Sequence, residues 1–272
     1  PLAQGKKDGE LYIGAFLLSE PEAGSDATSQ RTTAEDKGDY YLINGVKNWI
    51  TNGNTASVYL VMAQTHPEKG SHGINTFIVE KNWPGVKIGA KENKLGIRGS
   101  DTHSISFTDV KVPKENRVGE DGFGFKFAME TLSGGRIGIA SQALGLASGA
   151  MERAIAYSKE RKTFGTEIKN HQIIQFKIAD MATRINAARL LCLRAAWQKD
   201  NKQDYTQSAA MAKVFASETA MWVTSEAVQI HGGYGYVKEY HVERMMRDAK
   251  ITQIYEGTSE MQRIVISRRI LR

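Results

Sequence analysis

The sequence predicts an α+β fold in two parts, an antiparallel β-barrel-like domain followed by an up-and-down, four-helix-bundle-like domain. Three observations predict it. Residues 11–113 fall into short runs rich in β-branched and aromatic residues, bounded by Gly, Asn, Asp or Pro. From residue 137 onward, apolar residues recur three and four apart in long Ala- and Leu-rich segments. The Gly-rich passage GEDGFGF at 119–125 separates the two patterns. The expected domains are therefore β over 1–118 and α-helical over 119–272.

The expected strands are YIGAFLLSE (12–20), YYLING (40–45), VKNWIT (46–51), SVYLVMAQT (57–65), INTFIVEK (74–81) and SISFTDVKV (104–112). Asn44-Gly45 stands between two of these runs, the strongest short-range signal for a hairpin turn. The first helix is read from Ile137 to Lys159. A second covers about 171–200, with Ile174, Ile178, Met181, Ile185 and Ala188 on one face. A third runs from Thr206, a candidate N-cap, to Ile230, where Gly232-Gly233 stop it. Shorter helices follow over 241–250 and 258–271. Short connections between long amphipathic helices argue for a bundle.

Hydrophobic residues make up 41% and charged residues 24%, enough for a sizeable core. No apolar run reaches the roughly 18–20 residues that span a bilayer. The opening PLAQGKKDGE lacks an initiator Met and is expected not to be a native start. Cys192 is the only cysteine, so an intrachain disulfide is ruled out; in RLLCLRAAW it reads as a small buried hydrophobe. The net charge of +6 permits acidic ligands, but the basic residues are scattered. A solvated face accounts for most of them, and neither nucleic acid nor membrane is expected as a partner. The histidines show no metal-ligand spacing, so no metal is expected.

Five segments, in order, carry a likeness: FLLSEPEAGSD (16–26), WITNG (49–53), RKTFG (161–165), QIHGGYGY (229–236) and QIYEGTSEMQR (253–263). Together they resemble the signatures of the acyl-CoA dehydrogenases, and TLSGGRIGIASQALG (131–145) is most similar to the short-chain, butyryl-CoA type. The resemblance implies a helical N-terminal domain, a middle β domain and a C-terminal helical bundle; the chain matches the last two.

The implied reaction is α,β-dehydrogenation of an acyl-CoA thioester to a trans-2-enoyl-CoA, a step of fatty acid β-oxidation. A carboxylate removes the α-proton while the β-hydrogen leaves as hydride to flavin N5. Taken alone, Glu256 reads equally as an acid at a helix N-terminus; the resemblance makes it the base. The family's alternative base position, directly before the Arg of the first long helix, is Gly135 here. Burial beside an acyl chain should raise the Glu256 pKa into a range useful to a base.

The implied cofactor is FAD. Phe16, Leu17, Leu18 and Ser19 would give main-chain contacts to the isoalloxazine, and Ser25 would lie near both diphosphate and substrate. Trp49, Ile50 and Thr51 would flank the flavin, although a lone Trp in a strand also reads as core. Arg161, with Phe164 beside it, would bind the diphosphate through its fixed fork of donors, although as a lone residue it reads equally as a helix C-terminal cation. Gln172, Gln229, Ile230, Gly232 and Gly233 would contact the ADP portion, from a neighbouring subunit. Thr258, Ser259 and Glu260 complete the cofactor set. Ser133, Arg136, Tyr255 and Gly257 would join Ser25 at the substrate; the short-chain relatives usually carry Asp where Ser133 stands. His231, beside two glycines, reads as structural or cofactor-edge rather than as an acid or base.

The implied partners are electron-transfer flavoprotein and further copies of the chain in a homotetramer, a dimer of dimers. The implied location is the cytoplasm in a bacterium or the mitochondrial matrix in a eukaryote. Two other functions stay open at this point. One is a branched-chain or aryl-acyl-CoA dehydrogenase, or an acyl-CoA oxidase, of the same family; the other is a non-catalytic, cofactor-free relative.

Overall fold

The computed structural model describes residues 5–7 and 9–271. The opening Pro1–Gln4, part of the stretch read as a non-native start, lies outside the described residues. Two compact units are present. One runs to Lys94 and adds Arg98–Thr131; the other comprises Leu95–Ile97 and the chain from Leu132 onward.

In the first unit β1 (Lys6–Lys7) and β2 (Glu10–Leu11) form a small hairpin. The main sheet contains β3 (Gly14–Leu17), β4 (Thr33–Asp36), β5 (Tyr40–Thr51), β6 (Val58–Gln64), β7 (Ile74–Glu80), β8 (Val86–Lys91), β9 (Thr102–Pro113) and β10 (Arg117–Val118). Its path is β10-β7-β6-β4-β5-β9-β8, with β3 alongside β6. The strands at the two ends do not pair with each other, so the sheet is open and the expected barrel-like closure is not made. Nor is it wholly antiparallel. β3 pairs with β6 in parallel, Gly14 opposite Val58 through Leu17 opposite Val61. Parallel neighbours need a long connection, and the chain between Leu17 and Val58 supplies one.

Leu17, Ile43, Tyr59, Val61, Phe77, Val79, Ile105 and Val112 form the core of this unit. Burying each large apolar side chain contributes about 1.5–3 kcal/mol. In β6, Val58, Tyr59, Val61, Met62 and Ala63 are all buried, which is why SVYLVMAQT reads as a continuous apolar run rather than an alternating one.

The Asn44-Gly45 pair does not turn the chain. β5 passes through it unbroken, and its register against β9 shifts between Ile43 and Gly45. A Cβ on Gly45 would stand 2.4 Å from Thr32 Oγ1, so glycine is required here for close approach at a bulge. The Asn44 amide reaches across the sheet: Nδ2 donates to Asp109 Oδ1 (3.0 Å), and Asp109 N donates to Asn44 Oδ1 (2.8 Å). β4 and β8 are absent from the sequence reading: TAED has no apolar alternation, and the alternation of Val86, Ile88 and Ala90 in VKIGAK is short and interrupted by Gly89.

The helices are α1 (Gly124–Glu160), α2 (Gln172–Asp200), α3 (Thr206–His231), α4 (Val242–Lys250) and α5 (Ser259–Ile270). Between α1 and α2, β11 (Lys162–Thr163) and β12 (Thr166–Glu167) form a hairpin whose turn residues Phe164 and Gly165 have φ of 51° and 78°. α1 starts at Gly124 rather than Ile137, its first turns belonging to the β unit. Ser133, Gly134 and Gly135 have low helix propensity and concealed that extension. Thr206 is the first residue of α3 rather than its cap; Asp204 Oδ1 accepts from Thr206 N at 3.0 Å instead. Gly232, at φ 59°, ends α3 as expected.

The helical core is made largely of small residues. Ala140, Ala143, Ala147, Ala150 and Ala154 of α1 meet Met181, Ile185, Ala188 and Cys192 of α2 and Ala209, Ala212, Ala216 and Ala220 of α3. Burial pushes the Cys192 thiol up to about 11, so it stays an inert core group. Among the described residues, no helix is long and apolar enough to cross a membrane.

Candidate active site

Glu256 stands in the segment between α4 and α5, and it holds a left-handed backbone, φ 55°, followed by Gly257 at φ 87°. A glutamate rarely adopts this conformation unless its surroundings impose it. The imposition is visible. Gln262 Nε2 donates to Glu256 O (3.2 Å) and Gly257 O (2.8 Å), and Lys213 Nζ donates to Gly257 O (2.7 Å). Thr258 Oγ1 accepts from Met261 N at 3.3 Å, capping α5.

The Glu256 side chain is aimed at α1, where a Cβ on Gly135 would fall 2.7 Å from Oε2. The position read as the alternative base and the residue expected to act as base therefore meet at one point. Burial pushes the Glu256 carboxyl above its usual range, and the charges of Arg136 and Lys213 offset part of that rise. Arg136 is buried, and its guanidinium is pushed below its ordinary range by burial, with Glu256 opposing the shift. Tyr255 OH donates to Gln142 Oε1 at 2.5 Å, fixing the residue next to Glu256 on α1. Chemically, the group is a proton-accepting carboxylate beside two cations, on a backbone held in place. Ser133 lies one helical turn before Arg136 on α1, and both are buried.

A second feature of the helical unit is a cavity of about 500 Å³ lined by Tyr157, Arg161, Thr163, Ile168, Ile230, His231, Gly232, Gly233, Tyr234 and Val237. It brings together four residues expected to bind the cofactor: Arg161, Ile230, Gly232 and Gly233. The Arg161 guanidinium lies 5.6 Å from the Tyr234 ring centroid. His231 is buried, shares its Nδ1 with Ala227 O (2.7 Å) and stacks on Tyr157 at 4.3 Å. Burial lowers its pKa, which suits a packing role at the cavity edge. Cβ atoms on Gly232 or Gly233 would meet nothing within 4 Å, so both backbones face open space. Phe164 is 97% exposed at the hairpin tip, and Gln172 and Gln229 are exposed at a helix start and a helix end.

In the β unit, the end of β3 and the end of β5 are tied together. Asn48 N donates to Ser19 O at 2.9 Å, so Phe16–Ser19 and Trp49–Thr51 are neighbours. Trp49 is 60% exposed and has φ 62°, an uncommon conformation for so bulky a side chain. It is an exposed platform, not a core residue. Ser25 is exposed in the loop after β3.

Two lysines in these sites escaped the sequence reading. Lys47 is fully buried, with Nζ on Glu20 Oε1 (2.8 Å), Gln30 Oε1 (2.9 Å) and Leu18 O (3.1 Å). Burial pushes it down to about 8, against the pull of Glu20. Burial would raise the Glu20 carboxyl, yet Lys47 and donors from Thr32 and Arg31 outweigh it and hold Glu20 below its usual range. Lys213, also fully buried, is pushed down to about 8 by burial and by Arg136, with Glu256 and Glu260 opposing. A signal for Lys213 existed: it shares the α3 face of Ala209, Ala212, Ala216 and Ala220, where a lysine is out of place.

The chain's relatives give these geometries a context. Residues 15–110 match the family model described as acyl-CoA dehydrogenase, middle domain, and residues 122–271 the one described as acyl-CoA dehydrogenase, C-terminal domain. The chain is 53% identical to the short-chain specific acyl-CoA dehydrogenase of Clostridium acetobutylicum, over 100% of its own length and 70% of that protein's. It is 52% identical to CarC, a subunit of the caffeyl-CoA reductase-Etf complex of Acetobacterium woodii, with the same 100% and 70% coverage. Among solved structures, butyryl-CoA dehydrogenase of Megasphaera elsdenii superposes with a TM-score of 0.95 at 53% identity, covering 96% of this chain and 68% of that one. With both of its halves matched and about half its residues shared along its whole length, the chain belongs to the acyl-CoA dehydrogenase family of oxidoreductases.

Proposed function

We propose that the chain performs FAD-dependent α,β-dehydrogenation of short-chain acyl-CoA thioesters, with Glu256 as the base that takes the α-proton. The observation that carries this reading is the Glu256 carboxyl itself, held on a left-handed backbone, raised in pKa by burial and directed at the side-chain-free position Gly135. A raised pKa moves a carboxylate toward the strength a general base needs. The α-proton would pass to a Glu256 oxygen, and the Glu256 backbone N–H would support charge developing on the thioester carbonyl. Gly257 would adjoin that carbonyl; a Cβ on it would stand 2.8 Å from Gln262 Nε2, the donor that holds this backbone. Ser25, Ser133, Arg136 and Tyr255 would contact substrate.

The residues present suit FAD. The cavity beside Arg161 combines a bidentate cation for a diphosphate with aromatic rings and two open glycine backbones. Phe16–Ser19, Ser25, Trp49–Thr51, Arg161, Phe164, Gln172, Gln229, Ile230, Gly232, Gly233 and Thr258–Glu260 would hold it. When bound, FAD supplies the acceptor for the β-hydrogen and its electron pair.

The division into a middle β domain, 1–118, and a C-terminal helical domain, 119–272, is part of the same reading. So is electron-transfer flavoprotein as partner, supported by the Etf complex named for CarC. A homotetramer would cover Ile173, Phe176, Leu190, Leu193 and Trp197, exposed apolar residues on α2. The protein would work in the cytoplasm of a bacterium or in the mitochondrial matrix. CarC also favours a second reading, an aryl-acyl-CoA substrate on the same machinery. An acyl-CoA panel scored by anaerobic bleaching of the flavin decides between them. Fastest bleaching by butyryl-CoA supports the first, fastest bleaching by aryl-propionyl-CoA the second, and no bleaching by any thioester removes both.

A further inference from the structure

We infer that Lys213 is a positioning residue for the proposed base: from α3, its buried ammonium grips the Gly257 carbonyl and so fixes the Glu256–Gly257 backbone that aims the carboxylate. This rests on the reading of Glu256 as the base.

Three observations converge on it. Lys213 has no exposed surface, although its helix face is otherwise built of small residues, Ala209, Ala216, Ser217 and Ala220. A lysine stem could reach solvent from many helical positions, but here the charge is kept inside, a costly arrangement unless the group has a partner. Its hydrogen bond, 2.7 Å to Gly257 O, lands on the peptide joining Gly257 to Thr258. The backbone it holds is the one that needs holding, since Glu256 and Gly257 are consecutive left-handed residues. Gln262 reaches the same Gly257 carbonyl, and the Glu256 carbonyl as well, from α5, so the loop is clamped from two helices.

The clamp also carries charge. The charged and titratable groups facing Glu256 are Arg136 from α1, Lys213 from α3 and Tyr255 on its own segment; Lys213 in turn faces Arg136, Glu256 and Glu260. Removing the ammonium takes away one of the two cations that restrain the rise of the Glu256 pKa. A neutral side chain of equal length therefore loosens the base and makes it harder to ionise.

The test compares Lys213→Met with the unaltered full-length, flavin-loaded protein. Five quantities are read: FAD content, melting temperature, the limiting rate of anaerobic flavin reduction by butyryl-CoA, the half-saturating butyryl-CoA concentration, and the pH of the limiting rate's acid limb. The expected result is normal FAD content and a melting temperature lowered only modestly, because Gln262 Nε2 still donates to the Gly257 carbonyl that Lys213 leaves. The limiting rate should fall about 100-fold, the scale for misplacing a reacting group by about 1 Å. Half-saturation should change little, and the acid limb should move to higher pH. Lys213→Gln, which keeps a donor but no charge, should recover part of the rate while leaving the acid limb displaced. A Lys213→Met protein with the original rate and acid limb overturns the inference. So does parallel loss of fold, FAD and rate in both variants, which would make Lys213 a folding residue. Glu256→Gln is run alongside. If that variant keeps the full rate, the base assignment fails; if it is inactive while Lys213→Met is unaffected, only the clamp fails.

Discussion

Gly135 and Glu256 compete for the same space: a Cβ on the glycine would lie 2.7 Å from Oε2 of the carboxylate. The absence of a side chain on α1 is thus what allows the Glu256 carboxylate to arrive from the segment before α5. The contact is with the far end of a flexible side chain, so a methyl group would displace Glu256 rather than disrupt the helix.

Gly135→Ala should therefore separate rate from stability. Alanine in a helix interior is favoured over glycine by about 0.5–1 kcal/mol, so the melting temperature should hold or rise slightly. Flavin reduction by butyryl-CoA should slow by about 10²-fold, because the base is pushed off its line. Thermal melts and stopped-flow absorbance on the same preparation check both halves.

The raised Glu256 pKa has a stability consequence whose sign is fixed. A carboxyl whose folded pKa lies above its unfolded value binds protons more tightly in the folded state. Its favourable contribution is complete below the unfolded pKa and is lost as pH rises through the folded one. Glu256→Gln, which resembles the protonated form, should thus melt at a higher temperature than the parent at pH 8. The gap should close at pH 4. Paired melting curves at the two pH values measure this.

Lys47 should matter more to the β unit than an ordinary lysine. Its side chain is fully buried against Glu20, and Lys47→Met leaves that carboxylate without its cation. Breaking a buried pair from one side costs about 3–5 kcal/mol. Urea unfolding should show a loss of that size, and Glu20→Gln combined with Lys47→Met should recover much of it.

Arg161→Ala should weaken FAD retention while leaving the fold intact. The side chain is exposed and lies over Tyr234 at the mouth of the cavity, so little packing depends on it. Flavin content after gel filtration, with circular dichroism as control, reads the effect. Full FAD content in the variant would remove Arg161 from the cofactor site.

Much of this architecture was legible because burial follows periodicity. Ile174, Ile178, Met181, Ile185 and Ala188 were placed on one face of α2, and the last three are buried in the core. What stayed hidden involves contacts distant in sequence. Gly45 reads as a turn residue until Thr32 is seen pressed against it. α1 could not be extended through Ser133-Gly134-Gly135 from propensity alone, since those glycines leave room for partners far along the chain. Glu256 was found through its motif, but its clamp was not, because Lys213 lies on another helix and its meaning comes only from the Gly257 carbonyl. The sheet's openness was equally out of reach, as it depends on which strands meet at its ends.

The most direct measurement is anaerobic stopped-flow reduction of the bound flavin by butyryl-CoA in Glu256→Gln. The amide keeps the side chain's size but cannot accept the α-proton. The expected result is retained FAD with reduction slowed by at least about 10²–10⁴-fold. Reduction at the parent rate would contradict the assignment of Glu256 as the base.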